Sequence, residues 1–355
     1  MTRAAITLDV DGVRHYHAIH GLRPPGGGAR SAPDPILERG VPRFLELCER
    51  VGVSSTVFVV GADLAADPRD DGAAHGTASA FAALVKSAAR AGHEIGSHSY
   101  AHRYDLSRCS LDVMRDDVQR SVDAIASVAT RPLGFRAPGY NLSAALLDVV
   151  EECGFAYDSS ILPSPLYFAA RAAAIGAYAV TGALAARAPR LLSASIASST
   201  PSTSATPGRA GKSTRVFSSS IVGDAQAFAR APRRPYRLRK GGSWQAARSR
   251  VEGRELIEVP IATLLGVPWF GTALTSTPTI VNAALAAWAS LSSPVLELHA
   301  IDLCDAQDGF APELARVQRD LRVPVKAKLQ RIETVLRVLA QTSDVVTLDV
   351  MARAP

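Results

Sequence analysis

AAITLDVDG, running from Ala4 to Gly12, opens the chain and decides its fold. It is a β-rich run that ends in two carboxylates and a glycine, and the chain then alternates helices with further runs of this kind. ILERGVPRFLELCERVG, Ile36 to Gly52, carries apolar residues at helical spacing and stops at a glycine. SSTVFVVG follows as a buried strand. TASAFAALVKSAARAG reads as a helix, HEIGSHS as a short strand with a loop, and SLDVMRDDVQRSVDAIASV as a helix. LGFRAPG is a strand leaving into a turn, SAALLDVVEECG a helix, and FAYDSS another strand. Near the C-terminus TIVNAALAAWASL reads as a helix, SPVLELHA as a strand, 323–341 as an amphipathic helix, and DVVTLDV as a closing strand. Strands alternating with helices imply a parallel sheet, and the repeat predicts an α/β fold of the distorted (β/α)7-type barrel class.

That rhythm assigns 1–162 and 255–355 to the barrel and breaks between them, so 163–254 reads as a long irregular insertion. It begins with LYFAARAAAIGAYAVTGALAARA, an alanine-rich helix that Arg171, Gly176 and Arg187 interrupt too often for a membrane span. A packed surface helix is the favoured reading there, an interfacial helix the alternative. SASIASSTPSTSATPGRAGKST then has the composition of a partly disordered segment. GRAGKST is not a phosphate-binding loop, because Thr206 stands where that loop needs glycine.

The net charge of +6 is modest, and its densest cluster is RAPRRPYRLRK, Arg230 to Lys240. Such a cluster suits phosphate groups or an anionic membrane surface, but a solvated basic loop is the plainer reading and the favoured one. No nucleic-acid motif accompanies it, so nucleic acid is not an expected partner. With 47% hydrophobic residues and a mean hydropathy of +0.10, a sizeable core is expected. Cys48, Cys109, Cys153 and Cys304 form no CxxC pair, which argues against a structural zinc site. No apolar leader precedes the first strand, so the expectation is a cytoplasmic protein with reduced thiols.

Five short motifs carry chemistry. In HSYAH, His98 and His102 are four apart and can face one point on a helical turn to chelate a cation. Alone, that spacing fits a structural pair equally well. In LDVDG, Asp9 and Asp11 share a face if extended geometry persists, so one can bind metal while the other takes a proton. In GFRAPGY, Arg136 can hold a carboxylate ionised, and the turn at Pro138 and Gly139 can aim the Tyr140 backbone amide into a site. Taken singly, an ordinary surface turn explains that motif as well. YDSS sets Asp158 at a strand end, where capping a helix is the usual role. LELHAIDL sets His299 at the end of an apolar strand, where a lone histidine is usually a satisfied core residue.

Together, and in this order, the five motifs resemble the signature of the polysaccharide deacetylase family, also called NodB-homology or carbohydrate esterase 4. The resemblance covers residues 4–160 and 255–350. It implies one divalent metal ion, zinc first with cobalt, nickel and manganese as alternatives, held by Asp11, His98 and His102. It implies Asp9 as the general base toward the attacking water, with Arg136 orienting it. His299 would protonate the leaving amine, steadied by Asp158, and the Tyr140 N–H would meet the oxyanion. Val10 separates the two aspartates, a D-x-D form similar to the branch that holds formyl-arabinose-lipid deformylases, and this leaves exchange of Asp9 and Asp11 open. Ser160 stands where the family's fourth motif commonly has tryptophan.

The expected activity is therefore metal-dependent hydrolysis of a linear amide, N-deacetylation or N-deformylation, on an N-acylated sugar or lipid-linked sugar. Residence at the inner membrane face, with peripheral contact through 163–254, accompanies that expectation. Two other classes remain: a non-haem iron enzyme with a two-histidine, one-carboxylate triad, and a non-catalytic carbohydrate-binding protein on the same fold.

Overall fold

The structure, a computed structural model, describes residues 1–23, 33–64, 75–169, 231–239, 245–246 and 256–353. The alanine-rich and low-complexity readings fall almost wholly outside the described residues. Strand β1 (Thr2–Val10) is central, and from Ala4 onward it is buried throughout. It pairs in parallel with β2 (Thr56–Val59) on one side and β8 (Val295–His299) on the other. From β2 the sheet runs through β3 (Glu94–Ser97), β4 (Gly134–Phe135), β5 (Tyr157–Asp158) and β7 (Ile257–Glu258), every pairing parallel. These seven parallel strands form the expected distorted barrel. Between the outer strands, the Ala262 N–H donates to Val295 O at 3.0 Å and Phe270 bridges Glu297, so the segment after β7 spans the gap.

Alternation along β1 explains both layers. Ile6, Leu8 and Val10 pack outward against helices α2 (Val41–Val51) and α7 (Val325–Thr342), through Phe44, Leu47, Val335 and Leu336. Each such fully buried side chain contributes about 2 kcal/mol or more. Ala5 faces inward, with Phe58, Tyr157, Val259 and Val295, and Leu348 and Met351 fill the barrel's N-terminal end. The inward positions above them are Thr7 and Asp9, so the interior turns from apolar to polar toward the C-terminal ends of the strands. Glycine makes room for the large inward rings: a Cβ on Gly96 would sit 2.6 Å from the Phe58 ring.

Helices α3 (His75–Arg90), α4 (Leu111–Ala126), α5 (Ala144–Glu152) and α6 (Thr279–Ala289) lie where the periodicity puts them. Gly52 ends α2 in the left-handed region at φ 74°, a conformation glycine adopts without penalty. Two expectations change. The closing strand is only Ser343–Val345, and Leu348–Ala352 is helical, because Leu348 and Met351 plug the barrel. The basic stretch is not wholly a loop. Tyr236–Arg239 forms β6, antiparallel to β7, with Leu238 buried and Arg233 and Arg234 exposed. Among the described residues, no helix is long and apolar enough to cross a membrane.

Candidate active site

Asp9 ends β1 inside the barrel, and Asp11 lies just beyond the strand. Asp11 Oδ1 is 3.4 Å from His98 Nε2 and 3.0 Å from His102 Nε2, and all three residues are buried. The second histidine is not on a helical turn, as its spacing suggested. HSYAH is a loop leaving β3, with Ser99 at φ 62° and His102 at φ 53°. Left-handed backbone is costly for such residues and persists only where the surroundings impose it. Here they do. Asp117 of α4 accepts the Tyr100 and Ala101 N–H groups at 2.8 and 3.1 Å, and Ser99 Oγ accepts the His102 N–H at 3.0 Å.

The His98 ring is oriented by its other nitrogen, since Nδ1 lies 2.8 Å from the Arg136 carbonyl and donates there, which turns Nε2 toward Asp11. Asp11 Oδ1 and both nitrogens of His102 are buried and make no hydrogen bond of good geometry. Burial would raise the Asp11 carboxyl, but the His102 and His98 rings hold it well below the usual range. Ionised oxygen beside unpartnered imidazole nitrogen, out of water, is a donor set that fits a divalent cation.

Asp9 faces the other way. Arg136, fully buried, donates to Asp9 Oδ1 at 2.7 Å, to Thr7 Oγ1 at 2.9 Å, and to the Ser159 carbonyl and hydroxyl at 2.8 Å each. Its guanidinium carbon lies 4.2 Å from the centre of the Phe58 ring. Burial pushes the Asp9 carboxyl up, but the charges of Arg136, His98 and His299 outweigh it and keep Asp9 below its ordinary value. Asp9 Oδ2, the oxygen not bonded to Arg136, is 3.8 Å from His98 Nε2. The two aspartates are thus divided: Asp11 toward the histidines, Asp9 toward the arginine.

His299 ends β8, directly opposite Asp9 in register. Its carboxylate neighbour is not Asp158. Asp158 accepts the Ser160 N–H and hydroxyl at 3.1 and 2.8 Å and shares a hydrogen bond with Glu258, its register partner on β7. Burial and mutual repulsion raise Glu258 well above its usual range, as expected for two buried acids holding one proton. The group beside His299 is Glu297, two residues earlier on the same face of β8. Among the described residues, Asp9, Glu297 and His299 form a second cluster whose donor atoms lie within 4.8 Å of one another. Burial and Asp9 push Glu297 up to about 7, while Glu297, Asp9 and Asp11 lift His299 to about 9 against its burial. The Asp302 backbone N–H donates to the His299 side chain, which fixes that ring nitrogen as an acceptor while the ring is neutral.

Tyr140 also differs from expectation. Its backbone N–H donates to the Ala137 carbonyl at 3.1 Å, so the turn engages the amide expected at the oxyanion. The side chain is what reaches the site: its hydroxyl donates to Glu297 Oε2 at 2.8 Å. Glu297 was legible as the alternation in LELH, because Leu296 and Leu298 face outward and leave Glu297 and His299 on one face. His15, in helix α1 (Val13–Ile19) after Gly12, is a further neighbour. Its ring centre lies 4.2 Å from that of His102, and its buried Nε2 lacks a partner.

A polysaccharide deacetylase family model matches residues 31–157, a segment that holds His98, His102 and Arg136. The peptidoglycan deacetylase of Helicobacter pylori is 26% identical over 165 residues, covering 44% of this chain and 49% of that protein. A peptidoglycan-N-acetylglucosamine deacetylase of Bacillus cereus is 27% identical over 123 residues, covering 35% and 49%. The matches span about half the length of these two curated relatives. A Mycobacterium smegmatis protein described as a polysaccharide deacetylase shares the fold, with a TM-score of 0.53 at 18% identity over 99% of this chain and 88% of that one. Residues 31–157 are thus similar to the polysaccharide deacetylase family, and the chain as a whole shares its fold with that protein.

Proposed function

We propose that this chain is a divalent-metal-dependent hydrolase that cleaves the amide bond of an N-acylated sugar. The observation that supports it most is the meeting, at one end of the barrel, of the Asp11, His98 and His102 set with an Arg136-held Asp9 and an opposing His299. Asp11, His98 and His102 would hold the ion. When bound, it supplies Lewis-acid polarisation of the acyl carbonyl and makes water nucleophilic near neutral pH.

The chain's own residues do the rest. Asp9, kept ionised by Arg136, takes a proton from the attacking water through Oδ2. His299 gives its proton to the departing nitrogen as the carbon–nitrogen bond breaks, with Glu297 beside it favouring the charged ring. Tyr140 holds Glu297 in place through its hydroxyl. The D-x-D spacing of Asp9 and Asp11 supports a formyl or acetyl amide on a single or lipid-linked sugar as readily as on a polymer.

The test is release of acetate and formate from N-acylated sugars by chelated protein, before and after adding back zinc, cobalt, nickel or manganese. Metal-restored release supports the reading. No release with any metal and any substrate rejects it.

A further inference from the structure

The two flanks of the site are built differently. On the side of the two histidines, the walls are the rings of His15 and Tyr104, whose centres lie 4.2 and 5.1 Å from that of His102. On the side of His299 they are aromatic and only half-buried. Tyr140, bonded to Glu297, has its ring centre 5.9 Å from that of Tyr167, and Tyr167 lies 6.3 Å from Phe270. Phe270 is tied to the same strand, since its backbone bridges Glu297. Glu297 itself is fully buried, with Oε2 accepting from the Tyr140 hydroxyl and Oε1 3.7 Å from the Arg136 guanidinium.

We propose that Tyr167 and Phe270, backed by Tyr140, form the stacking wall for the sugar ring whose amino group is released. The inference rests on the proposed reaction in one respect. A leaving nitrogen that takes a proton from His299 must face His299, so the ring carrying that nitrogen lies on the flank of Glu297, Tyr140 and Phe270. The acyl group then points the other way, toward the confined space near His102. A pyranose suits such a wall because its axial C–H groups present an apolar face to an aromatic ring. An acyclic amide has no such face, and the wall therefore selects for cyclic sugars.

The experiment compares tri-N-acetylglucosamine with an acyclic amide, N-acetylethanolamine, on wild type, Tyr167→Trp, Tyr167→Leu and Phe270→Leu. Leucine keeps apolar bulk but removes the π-face, and tryptophan keeps it. Each leucine variant is expected to raise KM for the sugar roughly five- to tenfold, the order of one aromatic contact, and to lose more kcat/KM on the sugar than on the acyclic amide. Tyr167→Trp should stay near wild type. Equal losses on both substrates, or Trp behaving as Leu does, would overturn the wall. If wild type hydrolyses nothing, the hydrolase reading fails and the wall is judged separately, by saturation-transfer NMR of tri-N-acetylglucosamine on the chelated protein. Transfer to ring C–H protons that Tyr167→Leu abolishes supports the wall, and no transfer in wild type rejects it.

Discussion

Replacing Arg136 with methionine removes a permanent, buried cation that lies against two buried acids. Arg136 lies 2.7 Å from Asp9 Oδ1 and 3.7 Å from Glu297 Oε1, and is itself fully buried. Methionine keeps apolar length against Phe58 but donates nothing. Breaking a buried ion pair from one side costs about 3–5 kcal/mol, because the remaining charge has neither water nor partner. The loss should reach the upper end of that range, since the Thr7 hydroxyl and the Ser159 carbonyl lose their donor as well. The sign of the pH dependence follows from Asp9. In wild type its native pKa is lowered, so its stabilisation is present above the unfolded value of about 4 and disappears as pH falls through the native one. In the variant, burial is opposed only by His98 and His299, so the native pKa rises. The deficit should then be largest at pH 7–8 and shrink as pH falls below about 4, where the carboxyl becomes protonated in both states of the variant. Urea unfolding midpoints of the chelated protein across this range measure it. Adding Asp9→Asn should recover part of the loss, because it removes the stranded charge. A cost under about 1 kcal/mol at pH 7, or losses that simply add in the double variant, would refute this account of the pair.

Asp9→Asn should retain bound metal but lose at least about a hundredfold in turnover, whereas His98→Ala should lose both; equal metal loss by elemental analysis would merge the two roles. Glu297→Gln should cut kcat on N-acylated sugars about a hundredfold and Asp158→Asn less than about fivefold, and the reverse order in steady-state assays would restore Asp158 as the partner of His299. Gly134→Ala would drive a Cβ into the fully buried Tyr157 ring and should cost about 3 kcal/mol or more by urea unfolding, with no pH dependence between 5 and 8. Asp34, raised to about 6 by burial and by Asp63, should destabilise the native state increasingly as pH rises from about 4 through 6. Asp34→Asn should flatten that slope, worth roughly 3 kcal/mol over two pKa units, in chelated protein.

What the sequence made legible was local. The two-residue period of β1 separates Ile6, Leu8 and Val10 from Thr7 and Asp9, and the structure puts the first set on the helices and the second in the barrel. Gly52 stops α2 as a left-handed cap because glycine alone takes that conformation cheaply. What failed was non-local. DVVTLDV alternates well enough for a strand, but its last residues are drawn into a helix by the hole beneath Phe58 and Tyr157, which only the assembled barrel contains. The HSYAH spacing suits a helical turn, and the loop there is imposed by Asp117, a residue of the following helix with no motif of its own. Such an override costs left-handed backbone at Ser99 and His102, which the spacing of two histidines does not reveal.

The same distinction decides which carboxylate serves His299. Asp158 ends β5 and Glu297 shares a face of β8 with His299, but alternation within a strand does not by itself exclude Asp158. Register does. β5 pairs with β7, so Asp158 meets Glu258, while β8 pairs with β1, so His299 meets Asp9 and Glu297 meets Thr7. Arg136 reaches across from β4 and lies closer to Asp9 than to Glu297, so one of the two acids is pushed down and the other up to about 7. Two carboxylates whose environments drive them apart are suited to opposite tasks: the low one remains a ready proton acceptor, and the high one keeps positive charge on its histidine neighbour. Exchanging Asp9 and Glu297 in such a site would therefore not be neutral, even though both are buried acids facing the same arginine. The strand order that sets Asp9 between His98 and Arg136 is what assigns it the base's position in the proposed reaction.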